Sequence, residues 1–193
     1  MGPWLTGLQR ADQTVFLLLN GLTNPLFDAV MPVLSRKGWA IALATALLVG
    51  VMMKGSRRAW LLVAIAVAAL VLADQGANLL KAVVHRARPC HLLLNVHLLA
   101  GCTGSFAFPS NHATNMFAMA GVGWFGPRWL RWSLIPLAAA VAYSRVYLGV
   151  HYPGDVLGGA VLGAALGWSL ARLALGWLLP ADRPRPAPSP LQP

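Results

Sequence analysis

Residues 59–84 read AWLLVAIAVAALVLADQGANLLKAVV, and this stretch decides the fold. Its first half is purely apolar, and a helix needs about 20 mostly apolar residues to cross the hydrocarbon core of a bilayer. Towards its end, polar side chains recur at helical spacing on one face: Asp74, Asn78, Lys81 and His85. Polar groups inside a bilayer normally face protein or a water-filled cavity. The stretch therefore predicts a membrane-spanning helix with one face turned towards the rest of the protein.

The composition of the chain is that of a membrane protein. Apolar residues make up 58% of the 193 residues and charged residues only 10%, whereas soluble domains are about 25% charged. The net charge of +10 raises nucleic-acid binding as an alternative. The cations, however, are scattered between apolar runs, as they are in the loops of membrane proteins. We therefore expect a membrane-embedded protein with no nucleic-acid partner.

Further apolar runs predict an all-α, polytopic membrane helix bundle of about six helices. Besides the first stretch they occupy residues 15–34, 39–53, 111–125, 133–150 and 153–179. The run 15–34 is interrupted by prolines and polar residues, so it predicts two short helices, either as one bent span or as a re-entrant hairpin. Residues 1–179 are expected to form a single membrane-embedded domain, and the Pro-rich residues 180–193 a disordered tail.

The distribution of basic residues predicts the orientation of the helices. Lys and Arg residues collect at one end of the predicted bundle: Lys54, Arg57, Arg58, Arg128, Arg131, Arg183 and Arg185. Tryptophans, which favour the membrane interface, lie at the same end. By the positive-inside rule this end is cytoplasmic, so the loop 85–108 and the turn 150–155 face the periplasm or the outside. No cleavable signal peptide is expected, because the first apolar run lacks a basic leader.

Three segments far apart in the sequence are predicted to meet at that outer face. They read KAVVHRARP at 81–89, FPSNH at 108–112 and SRVYLGVHYPGD at 144–155. Their cations Lys81, Arg88 and Arg145 suit a phosphate group, whose oxygens accept charge-assisted hydrogen bonds. Ser110 can donate another hydrogen bond, and the backbone N–H groups at the helix start near Asn111 favour an anion. These segments therefore predict a phosphate-binding site.

Two histidines in these segments can carry out phosphoryl transfer. His112 and His151 would flank a bound phosphate, so that one attacks phosphorus and the other protonates the leaving oxygen. Asp155 follows His151 by four residues, at the start of a helix that Pro153 can open. A carboxylate there can accept the Nδ1 proton of the histidine and leave Nε2 free, as in the serine-protease triad. The sequence therefore predicts a catalytic set of His112, His151 and Asp155.

Together the segments resemble the signature of the type 2 phosphatidic acid phosphatase (PAP2) superfamily, whose site is similar to that of vanadium haloperoxidases. That signature is K-x6-R-P, P-S-G-H and S-R-x5-H-x3-D, and it differs from this sequence once, where Asn111 replaces glycine. The resemblance implies a PAP2/haloperoxidase-like core, a phosphohistidine at His151 and a general acid at His112. It implies neither a metal nor a cofactor. It assigns phosphate binding to the matching residues Lys81, Arg88, Ser110 and Arg145.

The resemblance leaves the lipid substrate open. Undecaprenyl diphosphate, hydrolysed on the periplasmic side of a bacterial inner (cytoplasmic) membrane, is the first choice by family analogy. Alternatives are a lipid A or phosphatidylglycerophosphate phosphatase, or a lipid-to-lipid phosphotransferase that uses the same phosphohistidine. A non-enzymatic lipid-binding or transporting protein is a further alternative, against which the complete set of His112, His151 and Asp155 argues. A soluble haloperoxidase is excluded by the hydrophobicity, and the oligomeric state is left open.

For several residues of the outer loops, the sequence allows two interpretations. Cys90 and Cys102 either form a disulfide that braces the loop in an oxidising periplasm or stay as two free thiols. His85 and Arg86 lie beside the first motif and either contact lipid headgroups or belong to a solvated loop. Ser144 either contacts the site or bonds a carbonyl of its own helix.

Overall fold

The structure, a computed structural model, describes residues 3–53 and 55–179. These residues contain α-helices and no strand, which confirms the all-α prediction. The helices are α1 (Pro3–Asn20), α2 (Pro25–Leu34), α3 (Lys37–Met52), α4 (Arg57–Val84), α5 (Pro89–Leu92), α6 (Asn111–Gly123), α7 (Arg128–Tyr147) and α8 (Pro153–Leu178). The predicted disordered tail 180–193 lies outside the described residues.

Two helices, α4 and α8, are long and apolar enough to cross a membrane by themselves. α4 begins at Arg57, where Ser56 caps it by accepting a hydrogen bond from Ala59 N at 3.2 Å. It ends before His85, whose positive φ of 49° turns the chain out of the helix. This ending delivers the first motif to one end of the bundle, close to the short helix α5.

The N-terminal helices α1 and α2 form a bent pair. Their axes turn by 116° across the break between them, as expected for a broken span or a re-entrant hairpin. α1 begins at Pro3, well before the predicted start, because its first turns mix polar and apolar residues and do not form an apolar run. Asn20 joins the bend to the end of the bundle that carries the motifs, by donating to Tyr147 O at 2.8 Å and His97 O at 3.0 Å.

The central helix of the bundle is α6, which α4, α7 and α8 surround and which is buried over most of its length. Three glycines of α8 lie against it: Gly159, Gly163 and Gly167. A Cβ atom on Gly163 would lie only 2.8 Å from Thr114 C and 2.9 Å from Ala118 N. Small residues at this spacing let two helix backbones approach closely. The close contact places the start of α6 beside the start of α8.

The helix α7 differs from its predicted extent. It begins at Arg128 rather than near residue 133, so Arg128 and Arg131 form its first turn and not a connecting turn. Arginine and tryptophan interrupt the apolar pattern there, but both residue types suit a helix end at a membrane interface. The guanidinium of Arg131 stacks over the Trp124 ring, 5.1 Å from its centroid. This basic end lies opposite the end that carries the motifs.

Candidate active site

The three motif segments meet at one end of the bundle and enclose a cavity of about 280 Å³. The first segment reaches the cavity from the end of α4, the second from the start of α6, and the third from α7 and the turn before α8. The cavity is lined by Asn78, Lys81, Arg88, Thr103, Ser105, Asn111, His112, Arg145 and His151. The structure thus gathers cations and histidines from distant parts of the sequence around one space.

Lys81 is buried and held by backbone carbonyl groups. Its Nζ donates to Pro109 O at 2.6 Å and to Phe106 O at 2.7 Å, with Ala107 O at 3.3 Å. These acceptors lie in the loop that leads into the second motif. Carbonyl oxygens satisfy the ammonium hydrogens but carry no formal charge. Lys81 therefore ties this loop to α4 and brings a positive charge to the cavity.

Arg88 and Arg145 bring two guanidinium groups to the same cavity. Arg88 donates from Nε to Ser105 O at 2.7 Å and from Nη2 to Ser105 Oγ at 2.8 Å. Arg145 donates from Nη1 to Ser35 Oγ. The Nε of Arg145 is buried and has no hydrogen-bond partner among the described residues. Guanidinium groups fixed in this way can bind two oxygens of a phosphate in parallel.

Ser110 stands immediately before α6 with an unused donor. Its side chain is buried, and its Oγ has no hydrogen-bond partner within residues 3–53 and 55–179. The first N–H groups of α6 have no acceptor in their own helix. A buried polar group without a partner costs about 1–3 kcal/mol. Arg145 lines the cavity, whereas Ser110 lies behind its lining, so of the two residues Arg145 can meet an anion in the cavity directly.

His151 lies in the turn between α7 and α8 with its ring buried. Its Nε2 is 3.3 Å from Nη1 of Arg88, and because a guanidinium only donates, this Nε2 accepts and carries no proton. Burial, together with the charges of Arg88, Arg145 and Lys81, lowers the pKa of His151 well below its ordinary value. The ring is therefore neutral at pH 7, with its proton on Nδ1 and, on Nε2, a lone pair that accepts from Arg88.

Asp155 supports His151 from the first turn of α8. Its Oδ2 lies 3.5 Å from Nδ1 of His151 and accepts a hydrogen bond from Tyr152 N at 2.8 Å. The distance to the ring is slightly long for a hydrogen bond, and catalytic hydrogen bonds often shorten only when substrate binds. Ser110 N also donates to Asp155 O at 3.0 Å, which joins the second motif to the third. The carboxylate is placed to orient the ring.

His112 faces the cavity from the first turn of α6. Its Nε2 is 3.0 Å from Ser35 O, and because a carbonyl oxygen only accepts, this Nε2 carries a proton. Ser35 follows α2 and belongs to the N-terminal hairpin, by which we mean α1, α2 and Ser35. The hairpin contacts His112 through the Ser35 carbonyl and Arg145 through the Ser35 hydroxyl. The Nε2 proton points at the Ser35 carbonyl, so His112 would have to release that contact, or use Nδ1, to protonate a leaving oxygen.

The side chain of Asn111 is engaged with α4. Its Nδ2 donates to Asp74 Oδ1 at 3.0 Å and to Asn78 Oδ1 at 2.9 Å. Asn115 donates to the same oxygen of Asp74 at 3.3 Å. The residue that replaces the usual glycine thus ties α6 to α4. The backbone N–H of Asn111, and not its side chain, is the group available for the predicted phosphate contact.

Some contacts of the site were not predicted from the sequence. Ser35 and Ser105 bond the cavity arginines, and no motif marks either serine. Arg86 forms an ion pair with Asp155 at 2.7 Å, a partner that neither interpretation offered for it, a headgroup contact or a solvated loop, includes. Ser144 donates to a carbonyl of its own helix at 2.7 Å and not to the cavity. Ser35, Ser105 and Arg86 bond residues that are remote in sequence, and Ser144 bonds a residue of its own helix. The spacing of residues in the sequence does not reveal which side chains make these bonds.

The outer loop after α4 is braced by a disulfide between Cys90 and Cys102. Of the two states considered for these cysteines, the structure contains the bonded one. The bond spans the segment that leads from α5 towards Ser105, and Ser105 holds Arg88. It therefore limits how far this wall of the cavity can move.

The chain is similar to proteins of one family. A family model described as the PAP2 superfamily matches residues 57–178. A Lipid A 4'-phosphatase of Bacteroides thetaiotaomicron is 32% identical over 165 residues, which cover 81% of this chain and 73% of the relative. The crystal structure of Aquifex aeolicus LpxE superposes with a TM-score of 0.69 at 26% identity, covering 83% of this chain and 94% of that chain. A transmembrane PAP2-type phosphatidylglycerolphosphate phosphatase from Bacillus subtilis superposes with a TM-score of 0.70 at 23% identity, covering 92% and 90%, a likeness of fold alone.

Proposed function

Since the chain is a bacterial membrane lipid phosphatase of the PAP2 superfamily, we propose that it releases phosphate through a phosphohistidine formed on His151. The observation that carries the proposal is the position of His151 Nε2, unprotonated and 3.3 Å from Arg88, in a cavity that also holds Lys81 and Arg145. The unused Nε donor of Arg145 supports the same site for the phosphate oxygens. The scheme needs no metal ion, because the side chains themselves supply the positive charge.

In the first step, Nε2 of His151 attacks phosphorus and the bond between phosphorus and the leaving oxygen breaks. Lys81, Arg88 and Arg145 stabilise the charge on the transferring group. His112, in its protonated form, gives a proton to the leaving oxygen. Asp155 accepts a hydrogen bond from Nδ1–H of His151 and stabilises the positive ring that forms.

In the second step, water attacks phosphorus and the bond between phosphorus and Nε2 of His151 breaks. His112, now neutral, takes a proton from the water, so that inorganic phosphate leaves and both histidines return to their starting states. The same intermediate could pass its phosphoryl group to a lipid hydroxyl instead of to water. Release of inorganic phosphate from a single purified lipid separates hydrolysis from this phosphotransfer.

The polar side chains beside the cavity favour a substrate with a sugar next to its phosphate. Asn78 and Asn111 line the cavity, and Asp74 accepts hydrogen bonds from both, at 3.2 and 3.0 Å. An amide oxygen that already accepts one hydrogen bond has a second lone pair, so Asn78 Oδ1 can still accept from a sugar hydroxyl. Undecaprenyl diphosphate offers a second phosphate and an isoprenoid tail there, and no hydroxyl. The similarity to a lipid A 4'-phosphatase supports this choice. We therefore place lipid A ahead of undecaprenyl diphosphate, the substrate first predicted, and of phosphatidylglycerophosphate.

A phosphate-release assay on these lipids tests the proposal. The purified protein is given lipid A, undecaprenyl diphosphate or phosphatidylglycerophosphate in detergent micelles containing EDTA, and we expect the highest turnover with lipid A. His151→Ala should reduce turnover by about 1000-fold or more, because the nucleophile is lost. Acid-labile, base-stable phosphate should be trapped on the wild-type chain by a rapid quench, and not on the variant.

The matched control is His91→Ala, which removes an exposed histidine of the same outer loop that does not line the cavity. This variant should keep wild-type turnover. Undiminished turnover in His151→Ala would refute the nucleophile assignment. A clear preference for undecaprenyl diphosphate would refute the substrate ranking and leave the mechanism intact.

A further inference from the structure

Arg86 lies just after α4, between two residues of the first motif, and turns away from the phosphate cavity. The positive φ of His85 reverses the chain before it. Only 21% of its side chain is exposed, which is low for an arginine in an outer loop. The side chain lines a second cavity of about 360 Å³, which is separate from the one that holds His112 and His151.

The guanidinium of Arg86 is held on three sides. Nη1 donates to Asp155 Oδ1 at 2.7 Å, and Nη2 donates to Asp12 Oδ2 at 2.6 Å. The ring of Tyr152 lies beneath the group, with 4.3 Å between the guanidinium carbon and the ring centroid. Planar arginine groups bind carboxylates and stack on aromatic faces more favourably than lysine does. The guanidinium therefore has one fixed position between two carboxylates.

Asp12 belongs to α1 and is joined to the first turn of α8. Its Oδ1 accepts a hydrogen bond from Gly154 N at 2.8 Å, while its Oδ2 takes the bond from Arg86. A Cβ atom on Gly154 would lie only 2.7 Å from Asp12 Oδ2. Glycine at this position therefore allows the carboxylate of α1 to approach the backbone next to Asp155.

The two oxygens of Asp155 have separate tasks. Arg86 occupies Oδ1, which leaves Oδ2 for Tyr152 N and for Nδ1 of His151. A fully buried carboxylate without a cationic partner would be strongly destabilised and would favour its protonated form. A protonated or rotated Asp155 could not accept the Nδ1 hydrogen of His151. Arg86 thus determines both the charge and the direction of the group that orients the nucleophile.

We propose that Arg86 and Asp12 are positioning residues for the pair His151–Asp155, in a chain of contacts that runs from α1 to the nucleophile. The proposal rests on the proposed function. Because Arg86 does not line the phosphate cavity, its loss should lower kcat and leave KM nearly unchanged. Asp12 lies outside the family-matched residues 57–178, so part of the catalytic apparatus comes from the N-terminal hairpin.

The test compares Arg86→Ala with the wild-type protein on the lipid of the panel that gives the fastest phosphate release. We expect kcat to fall by about 10- to 100-fold, as for the loss of a hydrogen bond between charged groups. Guanidinium chloride at millimolar concentration should restore part of kcat in Arg86→Ala, because the adjoining cavity can admit the ion. It should restore nothing in Asp155→Asn, which lacks the ionised acceptor.

Four further variants make the result specific. Arg86→Lys should keep more activity than Arg86→Ala. In Asp12→Asn, kcat should fall by about 10-fold or less, because only the contact between residue 12 and Arg86 changes. In the background of Asp155→Asn, Arg86→Ala should cause little additional loss, since two residues that act as a unit are not additive. Arg58→Ala is the matched control, because Arg58 also joins two parts of the bundle, through Phe125 O at 3.0 Å, but at the opposite end.

The outcomes separate this inference from the proposed function. Wild-type kcat in Arg86→Ala, with His151→Ala inactive, would overturn the positioning role alone. A loss in Arg86→Ala that guanidinium does not restore, or that is additive with Asp155→Asn, would also overturn it. Failure of the wild-type protein to release phosphate from any of the three lipids would overturn the proposed function, and the positioning role with it.

Discussion

At the scale of single residues, the proposed mechanism gives the same charges two tasks, one towards the substrate and one towards the nucleophile. Lys81, Arg88 and Arg145 make the cavity attractive to a phosphate group and also lower the pKa of His151. A low pKa keeps the ring neutral, and only the neutral ring can attack phosphorus. An excess of positive charge around the histidine is therefore an advantage for catalysis as well as for binding.

This dual role predicts a shift in the pH profile of Arg88→Gln. Removing the cation raises the pKa of His151, so the ring stays protonated and inactive up to a higher pH. We expect the acid limb of kcat/KM to move to higher pH, on top of an overall loss of activity. Arg88→Lys keeps the charge and should show a smaller shift. Equal acid limbs in both variants and the wild-type protein would contradict this account of the nucleophile.

Most residues of the candidate site could be predicted from the sequence, because chemistry and spacing coincide in short segments. His151 and Asp155 are four residues apart on one turn of chain, and Lys81 and Arg88 flank one helix end. Arg86 lies within the same segment, yet its partner Asp12 is 74 positions away. Its role depends on how α1 docks against the bundle, and no local pattern records that docking.

At the scale of helices, the contact between α6 and α8 positions the chemistry. The backbones of these helices approach closely at the glycines of α8, and the bond from Ser110 N to Asp155 O joins their starts at 3.0 Å. Motion at this contact would separate the residues that bind phosphate from those that orient the nucleophile.

The close approach predicts different effects for two Gly→Ala substitutions. Gly163→Ala forces a Cβ against the backbone of Thr114 and Ala118, so we expect a loss of about 1–3 kcal/mol in stability. Gly76→Ala in α4 places its Cβ at an ordinary 3.9 Å from Leu166 Cδ1. That variant should be neutral or more stable by up to about 1 kcal/mol, because alanine favours the helix.

Thermal unfolding in detergent, followed by tryptophan fluorescence, measures both effects. Gly163→Ala should also lose phosphatase activity at temperatures where it remains folded, whereas Gly76→Ala should retain it. Equal melting temperatures for the two variants would show that the contact between α6 and α8 is looser than described.

The helices themselves were predictable where an apolar run was continuous. α4 and α8 satisfy this condition and were predicted almost to their ends. α7 and α1 extend beyond their apolar runs, because arginine, tryptophan and polar residues at a membrane interface remain helical while resembling a loop in sequence. The angle between α1 and α2 could not be predicted, since it depends on bonds such as that from Asn20 to Tyr147 O.

At the scale of the whole molecule, the N-terminal hairpin is bonded to the catalytic end at several points. Ser35 contacts His112 and Arg145, and Asp12 contacts Arg86. Asp28 accepts hydrogen bonds from Tyr147 Oη at 2.5 Å and from His97 Nε2 at 2.9 Å. The hairpin therefore contacts several residues of the candidate active site, although none of its described residues lines the cavity itself.

We propose that this end of the molecule faces the periplasm, and the cysteines offer a test. A disulfide forms in the periplasm but is rare in the cytoplasm. Protein isolated without reductant and treated with an alkylating reagent should therefore gain no label on Cys90 or Cys102, by intact mass. After reduction under denaturing conditions it should gain two labels. The variant Cys90→Ser should gain one label without reduction, which checks that the reagent reaches the loop. Two labels on the unreduced protein would contradict both the bond and the outward orientation.

The hairpin has a consequence for anyone who exchanges parts between relatives of this enzyme. Residues 57–178 contain every motif of the family, yet a chimera that combined them with the first helices of another relative would replace Asp12 and Ser35. Such a hybrid could fold and still turn over slowly, because Arg86 would lose the carboxylate of Asp12 and Arg145 would lose the hydroxyl of Ser35. A chimera should therefore take the hairpin and the helices that carry the motifs from the same parent protein.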